Sequence, residues 1–382
     1  MNAEDARTTV ENRFQTLVAD TPEFHRAHFL VHSPSRDVHW PMAAGGTEDD
    51  PAHPDQPYHA ASVGKLFTAT LIELLAEGRD LEVDDPIVEY LPADLLEGLH
   101  VYRGTDYTGD IEIRHLLGHT SGLPHLFPDE FGILNRRREV DAEGRTYFDV
   151  MLEEPDRFIA PEETIEWAKA NLHPHFPPGK GIHYSEVGYN LLGLIVESVT
   201  GRPYHEVLHE RLFDPLGMEH SSLLQFSSPA TESPHPVSSV WVDDREFAVE
   251  DYRSFSGWYA GGQTVNTTAD LLAFHRALVA GELVSPETLA SMQQWRRLSI
   301  GLDYGYGMAR LRPLPLMERY RCWGGIGTTN SVSFYNPGHD VYLIGTFNQT
   351  ARRSRAYRFV FRTLRTVSKV ATEATVPPAE SA

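Results

Sequence analysis

The amino-acid sequence predicts an α+β protein: an antiparallel sheet flanked by helices, with a mostly helical lobe inserted into it. Three observations carry this. A hairpin-like pair of apolar runs near the N-terminus and a meander of short β-rich runs near the C-terminus bracket the chain. Between them, from about 80 to 255, helical pieces alternate with loops rich in Pro, Gly and His. The full 382 residues also exceed what one ordinary core organises. The simplest packing joins hairpin and meander in one sheet, built from residues 1–79 and 256–382. Residues 80–255 then form the second lobe, and the seam between the two is where ligand sites are common.

The elements follow in order. Residues 4–19 read as a surface helix. "HRAHFLVHSP" (25–34) and "RDVHWPMAAG" (36–45) read as a hairpin turning near Pro34–Ser35, and "TEDDPAHPDQP" as loop. "HAASVGKLFTATLIELLAEG" (59–78) is a helix with Gly78 as its stop. Helices are expected at 161–171, 186–200 and 203–213, and an irregular charged surface at 125–160, around "NRRREVDAEGR". Two more helices read at 268–281 and 286–295. "YGMARLRPL", "RYRCWGG", "NSVSFYNPG" and "HDVYLIGTFN" are successive strands with a Pro-Gly turn at 337–338. A helix over about 351–370 and a Pro/Ala/Glu tail close the chain.

Composition narrows the function. The net charge of −21 argues against nucleic acid and anionic membranes as partners. No apolar run is long enough to span a bilayer, and the polar start "MNAEDARTTVENRFQTLVAD" has no signal-peptide core, so a cytoplasmic location is expected. The single cysteine, Cys322, excludes an internal disulfide and a cysteine-rich zinc site. The histidines show no paired spacing that argues for a metal, and no cofactor is expected.

Only four of the 33 basic residues are lysine: Lys65, Lys169, Lys180 and Lys369. Arginine stays protonated, whereas a lysine can serve as a base once its pKa is depressed. Lys65 sits in a helix apolar on most of its circumference, which is the pattern of a buried helix. A buried ammonium is costly unless paired or deprotonated. Ser62, three residues earlier, lies on the same helix face near its start, where free N–H groups favour negative charge. A neutral Lys65 there could take the Ser62 proton and make it a nucleophile. The bland alternative is an N-cap serine and a snorkelling lysine.

"SVGK", "LLGHTSGLP" (116–124) and "FPPGKGIHYSEVGYNLLGLIVESVTGRPY" (176–204) together resemble the serine β-lactamase-like family. That family includes penicillin-binding proteins, class C β-lactamases, esterases and D-amino-acid peptidases. The resemblance continues through "GWYAGGQTVNTTADLLAFHRALVAG" to "WGGIGTTNSVSFYNPGHDVYLIGTFN", some 300 residues in the family's order. It implies a β-lactamase/transpeptidase-like fold with Ser62 as acylated nucleophile, Lys65 as its partner and Tyr184 as the proton-moving tyrosine of a Y-x-N motif. It also implies an oxyanion hole from the N–H groups of Ser62 and Thr328. His119 is expected to be structural, capping backbone groups.

Two departures from the family pattern matter. The Y-x-N motif is "YSE", so Glu186 stands where an asparagine is usual. A carboxylate beside Lys65 favours the charged ammonium, which shifts base duty toward Tyr184 or frees Glu186 for a cationic substrate group. The third motif, normally K-T-G or H-x-G, is Gly325-Ile326-Gly327. Gly325 offers no cation for a substrate carboxylate, which argues against β-lactams and peptide C-termini. Gly325, Ile326 and Trp323, the last as wall of an apolar pocket, complete the candidate substrate-binding set with Glu186. The expected function is a serine hydrolase acting on small carboxylic esters. The alternatives are a D-aminopeptidase or amidase on amino-bearing amides, and a non-catalytic binding protein on the same fold. The expected partner in either enzyme reading is a small-molecule ester or amide.

Overall fold

The structure, a computed structural model, describes residues 1–126, 139–313 and 317–372. The predicted tail and part of the 125–160 stretch lie outside the described residues. Helix α1 (Ala3–Ala19) starts at Asn2, whose side chain accepts the Asp5 N–H at 2.7 Å. Its buried residues Ala6, Val10, Phe14 and Val18 recur every four positions and so form one stripe. Strands β1 (Arg26–Ser33) and β2 (Val38–Gly45) pair from Arg26↔Gly45 to Ser33↔Val38. A 3₁₀ turn at Pro34–Arg36 reverses the chain.

Three helices build the site's surroundings: α2 (Lys65–Gly78), α3 (Glu186–Thr200) and α4 (Thr268–Ala280). Strands β3 (Arg296–Ser299), β4 (Leu302–Tyr304), β5 (Ala309–Leu311), β6 (Cys322–Ile326), β7 (Val332–Asn336) and β8 (Val341–Thr346) follow, then helix α5 (Arg353–Val367). All eight strands form one antiparallel sheet in the order β3-β4-β5-β6-β7-β8-β1-β2. The N-terminal hairpin therefore docks on the C-terminal meander through β1 and β8, as the sequence predicts.

Strand alternation sends side chains to two cores. Phe29 and Val31 of β1 and Leu343 of β8 join α1 and α5 on one face. Leu30, Tyr342 and Ile344 join α2, α4 and the helical insert on the other. Both faces are covered, so β1 and β8 read as near-continuous apolar runs rather than as clean alternation.

The structure departs from the sequence reading in detail. The sheet gains two short strands: β3, which begins with the exposed Arg296 and Arg297, and the buried three-residue β4. The helix read at 286–295 ends at Met292 to let β3 begin. The stretch read as irregular holds a helix, Tyr147–Glu153, started by a Thr146/Asp149 capping box and burying Tyr147 and Met151. The 203–213 helix is α-helical only over Tyr204–Leu208 and finishes as a π turn. Helix α2 stops at Arg79, which takes the left-handed conformation with φ 65°, one residue beyond Gly78. A small second sheet joins Tyr58–His59, Thr264–Asn266 and Ser222–Leu223. It ties the segment entering the Ser62 turn to the segment leaving Gly262.

Phe14 is fully buried among Phe29, Phe347 and Phe359. Phe14→Ala is expected to lower unfolding free energy by about 3–5 kcal/mol in urea titration. A loss below about 1 kcal/mol would contradict close packing of α1 on the sheet.

Candidate active site

Ser62 lies in a 3₁₀ turn, Ala61–Gly64, that feeds directly into α2. The turn starts under strain: Ala61 has φ 51°, a left-handed conformation costly for a side chain with a Cβ. Two neighbours hold it. The Ala60 N–H donates to Thr264 O at 2.9 Å, and Ser331 Oγ donates to Ala60 O at 2.7 Å. Gly262, with φ 141°, passes so close that a Cβ there would stand 2.6 Å from Ala61 O and 2.9 Å from Ser62 Cα. The backbone approach therefore demands glycine.

Lys65 is fully buried. Its Nζ lies 3.2 Å from Ser62 Oγ and 2.9 Å from Glu186 Oε1, and it donates to Gly261 O. The rings of Tyr184 and Tyr189 complete the wall, 5.0 and 5.2 Å from Nζ. Burial drives the lysine pKa down, and the Glu186 charge only partly opposes it.

Glu186 is the first residue of α3, 4% exposed. Burial alone would push its carboxyl up, but His125 and Lys65 outweigh burial and hold it well below the carboxylate range. Its second oxygen faces His125 Nδ1 at 2.5 Å. Burial lowers the His125 pKa, yet the Glu186 charge overcomes that and raises it. One carboxylate thus serves two buried basic groups.

Tyr184 is 2% exposed, and its hydroxyl is hydrogen-bonded to the Ser62 side chain. Burial first and the Glu186 charge second keep its pKa well above 10, so the phenol is protonated. The expectation that base duty passes to Tyr184 therefore finds no support in this electrostatic setting. His119 has the structural place expected of it: its Nδ1 accepts the Ser185 N–H at 3.2 Å, and its ring packs on Tyr184 at 4.1 Å. Ser185 caps α3 by accepting the Gly188 N–H, and its hydroxyl donates to Pro124 O at 2.7 Å. Tyr184 and Glu186, two residues apart, are thereby fixed on either side of one anchored cap.

A cavity of about 40 Å³ opens at Ser62, lined by Glu186, Gly261, Thr328, His59 and Trp258 among others. Thr328, two residues beyond the end of β6, stands at this cavity. The structure does not bring the other predicted substrate-binding residues there. Trp323 packs against His275 and Tyr335, with ring centroids 5.0 and 5.9 Å apart. Ile326 points to the opposite core and lines a separate cavity with Arg353 and Tyr357. Gly325 lies flat against the Ser62 turn, where a Cβ would meet Val63 Cγ1 at 2.7 Å and Val63 Cα at 3.0 Å. Sequence reasoning missed His125, Gly261, His59 and Trp258. His125 lies 61 positions before Glu186, and no linear spacing connects them.

The family model described as Beta-lactamase matches residues 33–365. The chain belongs to the beta-lactamase family. It is thereby a protein of the serine hydrolase superfamily with the beta-lactamase fold. Among curated relatives, penicillin-binding protein 4* of Bacillus subtilis is 29% identical over 272 residues, 68% of this chain and 54% of that protein. This beta-lactamase-family chain thus spans about half the length of that relative. The D-stereospecific amidohydrolase from Streptomyces sp. superposes with TM-score 0.73 at 24% identity, covering 92% of this chain and 97% of that one. EstCE1, a hydrolase with promiscuous acyltransferase activity, gives 0.73 at 18% identity, covering 96% and 99%. At these identities the likeness speaks to fold alone. Among the described residues no helix is long and apolar enough to cross a membrane.

The Gly325–Val63 contact yields a prediction. Gly325→Lys, which restores the family's cation, is expected to destabilise by about 1–3 kcal/mol through overpacking on the Ser62 turn. A melting temperature equal to the parent's would show that the strand and the turn have room to spare.

Proposed function

We infer that this chain is an acyl-enzyme hydrolase that cleaves small, uncharged carboxylic esters through Ser62. One observation carries the reading: a fully buried Lys65 Nζ, 3.2 Å from Ser62 Oγ, whose other two contacts are Glu186 and Gly261 O. The same geometry serves both protonation states. An ammonium donates all three protons, one of them to Ser62. A neutral amine keeps its two donations to Glu186 and Gly261 and turns its lone pair to Ser62, whose hydroxyl then donates. The charge of Glu186 thus orients the base rather than disabling it.

Ser62 Oγ attacks the ester carbonyl carbon as its proton passes to Lys65. The carbonyl oxygen becomes an oxyanion at the backbone N–H groups of Ser62 and Thr328, a pair commonly worth a few kcal/mol. The proton returns to the leaving alkoxide through the Tyr184 hydroxyl, the alcohol departs and the acyl group stays on Ser62. Water then attacks the acyl carbon by the reverse proton route, releasing the acid and restoring Ser62. The cavity at Ser62 holds about three water molecules' worth of space, which suits a short acyl group. Among the described residues lining it there is no lysine or arginine, so these offer a substrate carboxylate no cation.

Hydrolysis of amino-bearing amides is the second reading, favoured by the likeness to a D-stereospecific amidohydrolase. In that reading Glu186 would hold the substrate ammonium. Both of its oxygens already face Lys65 and His125, which supports the ester reading instead.

Side-by-side assays with p-nitrophenyl butyrate and D-phenylalanine amide test this. The expected result is ester turnover by the wild type, little amide turnover, and a loss of at least roughly 10³-fold in Ser62→Ala. Equal ester hydrolysis by wild type and Ser62→Ala would overturn the reading, and preferred amide turnover would favour the second one.

The pH profile tests the base. Neutral Lys65 is the reactive form, so kcat/KM rises as pH passes upward through its pKa. Facing that amine are Glu186 of α3, the Gly261 carbonyl, the Tyr184 and Tyr189 rings and, further off, His119 and His125. Glu186→Gln removes the main influence that raises the lysine pKa. The acid limb is therefore expected to move to lower pH in that variant. Movement to higher pH would exclude Lys65 as the base.

A further inference from the structure

Outside the Ser62 site, three side chains from three separate chain segments converge on one point. Glu139 Oε1 lies 3.2 Å from His175 Nε2 and 2.7 Å from His183 Nε2. The three candidate ligand atoms all fall within 4.8 Å of one another. The two imidazoles pack with centroids 3.7 Å apart, their planes tilted by 30°. Nothing in the linear spacing announces this, because 139, 175 and 183 meet only through the fold.

The backbones of His175 and His183 and the side chain of Glu139 are fastened to a single turn, His119–His125. The His183 N–H donates to His119 O at 2.9 Å, and the His175 N–H donates to Gly122 O at 2.9 Å. Glu139 is tied the other way, its Oε2 accepting the His125 N–H at 3.1 Å. That fixation is what a preorganised binding site requires. Side-chain exposure is graded, 9% for Glu139, 13% for His183 and 31% for His175, which leaves one side open to solvent.

We propose that Glu139, His175 and His183 form a site for a divalent transition metal of the zinc class. Two imidazole nitrogens and one carboxylate oxygen are a donor set that such ions take, with a further position left for water. The 3.2 Å separation is close to what two tetrahedral ligands on one ion need, given bonds of about 2.0–2.2 Å to each, and the 2.7 Å one would open on binding. The alternative occupant is no ion at all, with Glu139 accepting hydrogen bonds from two neutral imidazoles.

The position gives the site a consequence. His183 directly precedes Tyr184, and Glu139 holds the backbone of His125, whose ring faces Glu186. A bound ion would rivet together the two segments that carry Tyr184 and His125. Its role is that of a structural clasp, and no step at Ser62 passes through it.

Cobalt(II) reports on the site without reference to activity. The full chain, stripped with a chelator and dialysed, is titrated with Co²⁺ and then with Zn²⁺. One equivalent of Co²⁺ per chain is expected to produce a visible d–d absorption band that Zn²⁺ abolishes, together with a rise in melting temperature. His175→Ala and Glu139→Gln are both expected to lose the stoichiometric band while keeping the metal-free melting profile. Absence of a stoichiometric band in the wild type would overturn the proposal, as would an unchanged band in both variants. Should one variant fold poorly, the wild-type titration and the other variant still decide. None of these outcomes depends on whether Ser62 hydrolyses esters.

Discussion

The arrangement of the site depends on how one buried lysine is satisfied. Lys65 has no solvent to share its charge with, so every acceptor it needs must come from the fold. Three are supplied: the hydroxyl of its own turn, the carboxylate that opens α3 and a carbonyl from the strained segment before Gly262. Removing one partner of a buried charged pair commonly costs about 3–5 kcal/mol. A lysine has an escape that arginine lacks, because it can shed its proton. In the proposed reaction Lys65 uses that escape, which an arginine could not.

The sheet and the insert meet around that requirement. Strand β6 brings Thr328 to the cavity, and Gly325 lets the strand lie flat against Val63. The Thr264–Asn266 strand carries the Ser62 turn on one side and continues from Gly261 and Gly262 on the other. The insert supplies α3 with its anchored cap. The third motif's glycine and the second motif's glutamate are therefore parts of one local design. The first closes the sheet onto the Ser62 turn without a side chain, and the second places a charge beside the lysine.

Much of this was legible in the sequence, for reasons that differ by residue. Ser62 and Lys65 stand out because their relation is local, one helical turn in an apolar helix. The central strands stand out because both faces are buried. Strands β3 and β4 do not, since β3 is an edge strand beginning with two arginines and β4 is only three residues long, too short to show a period. Trp323 sits beside the third motif and Ile326 within it, yet the strand turns one toward His275 and the other to the opposite core. A motif names a strand, but the pleat decides which of its side chains reach the cavity. His125 and the Glu139, His175 and His183 group were beyond reach because their partners are long-range.

The Glu186 departure can now be weighed in electrostatic terms. An asparagine at that position would leave Lys65 and His125 facing a neutral amide, and both buried bases would be driven toward neutrality. The carboxylate lets one of them keep a proton at little cost. In the proposed reaction Lys65 takes the Ser62 proton as the neutral amine, the form its burial favours, while the Glu186 charge holds the His125 pKa up. When that proton arrives, the new ammonium lies beside the forming oxyanion, and the transfer adds no net charge to the buried site. A like pair of opposite charges is far better tolerated in a low-dielectric interior than either charge alone. In the proposed reaction the carboxylate therefore prepares the resting state, and the ammonium–oxyanion pair carries the electrostatic gain at the transition state.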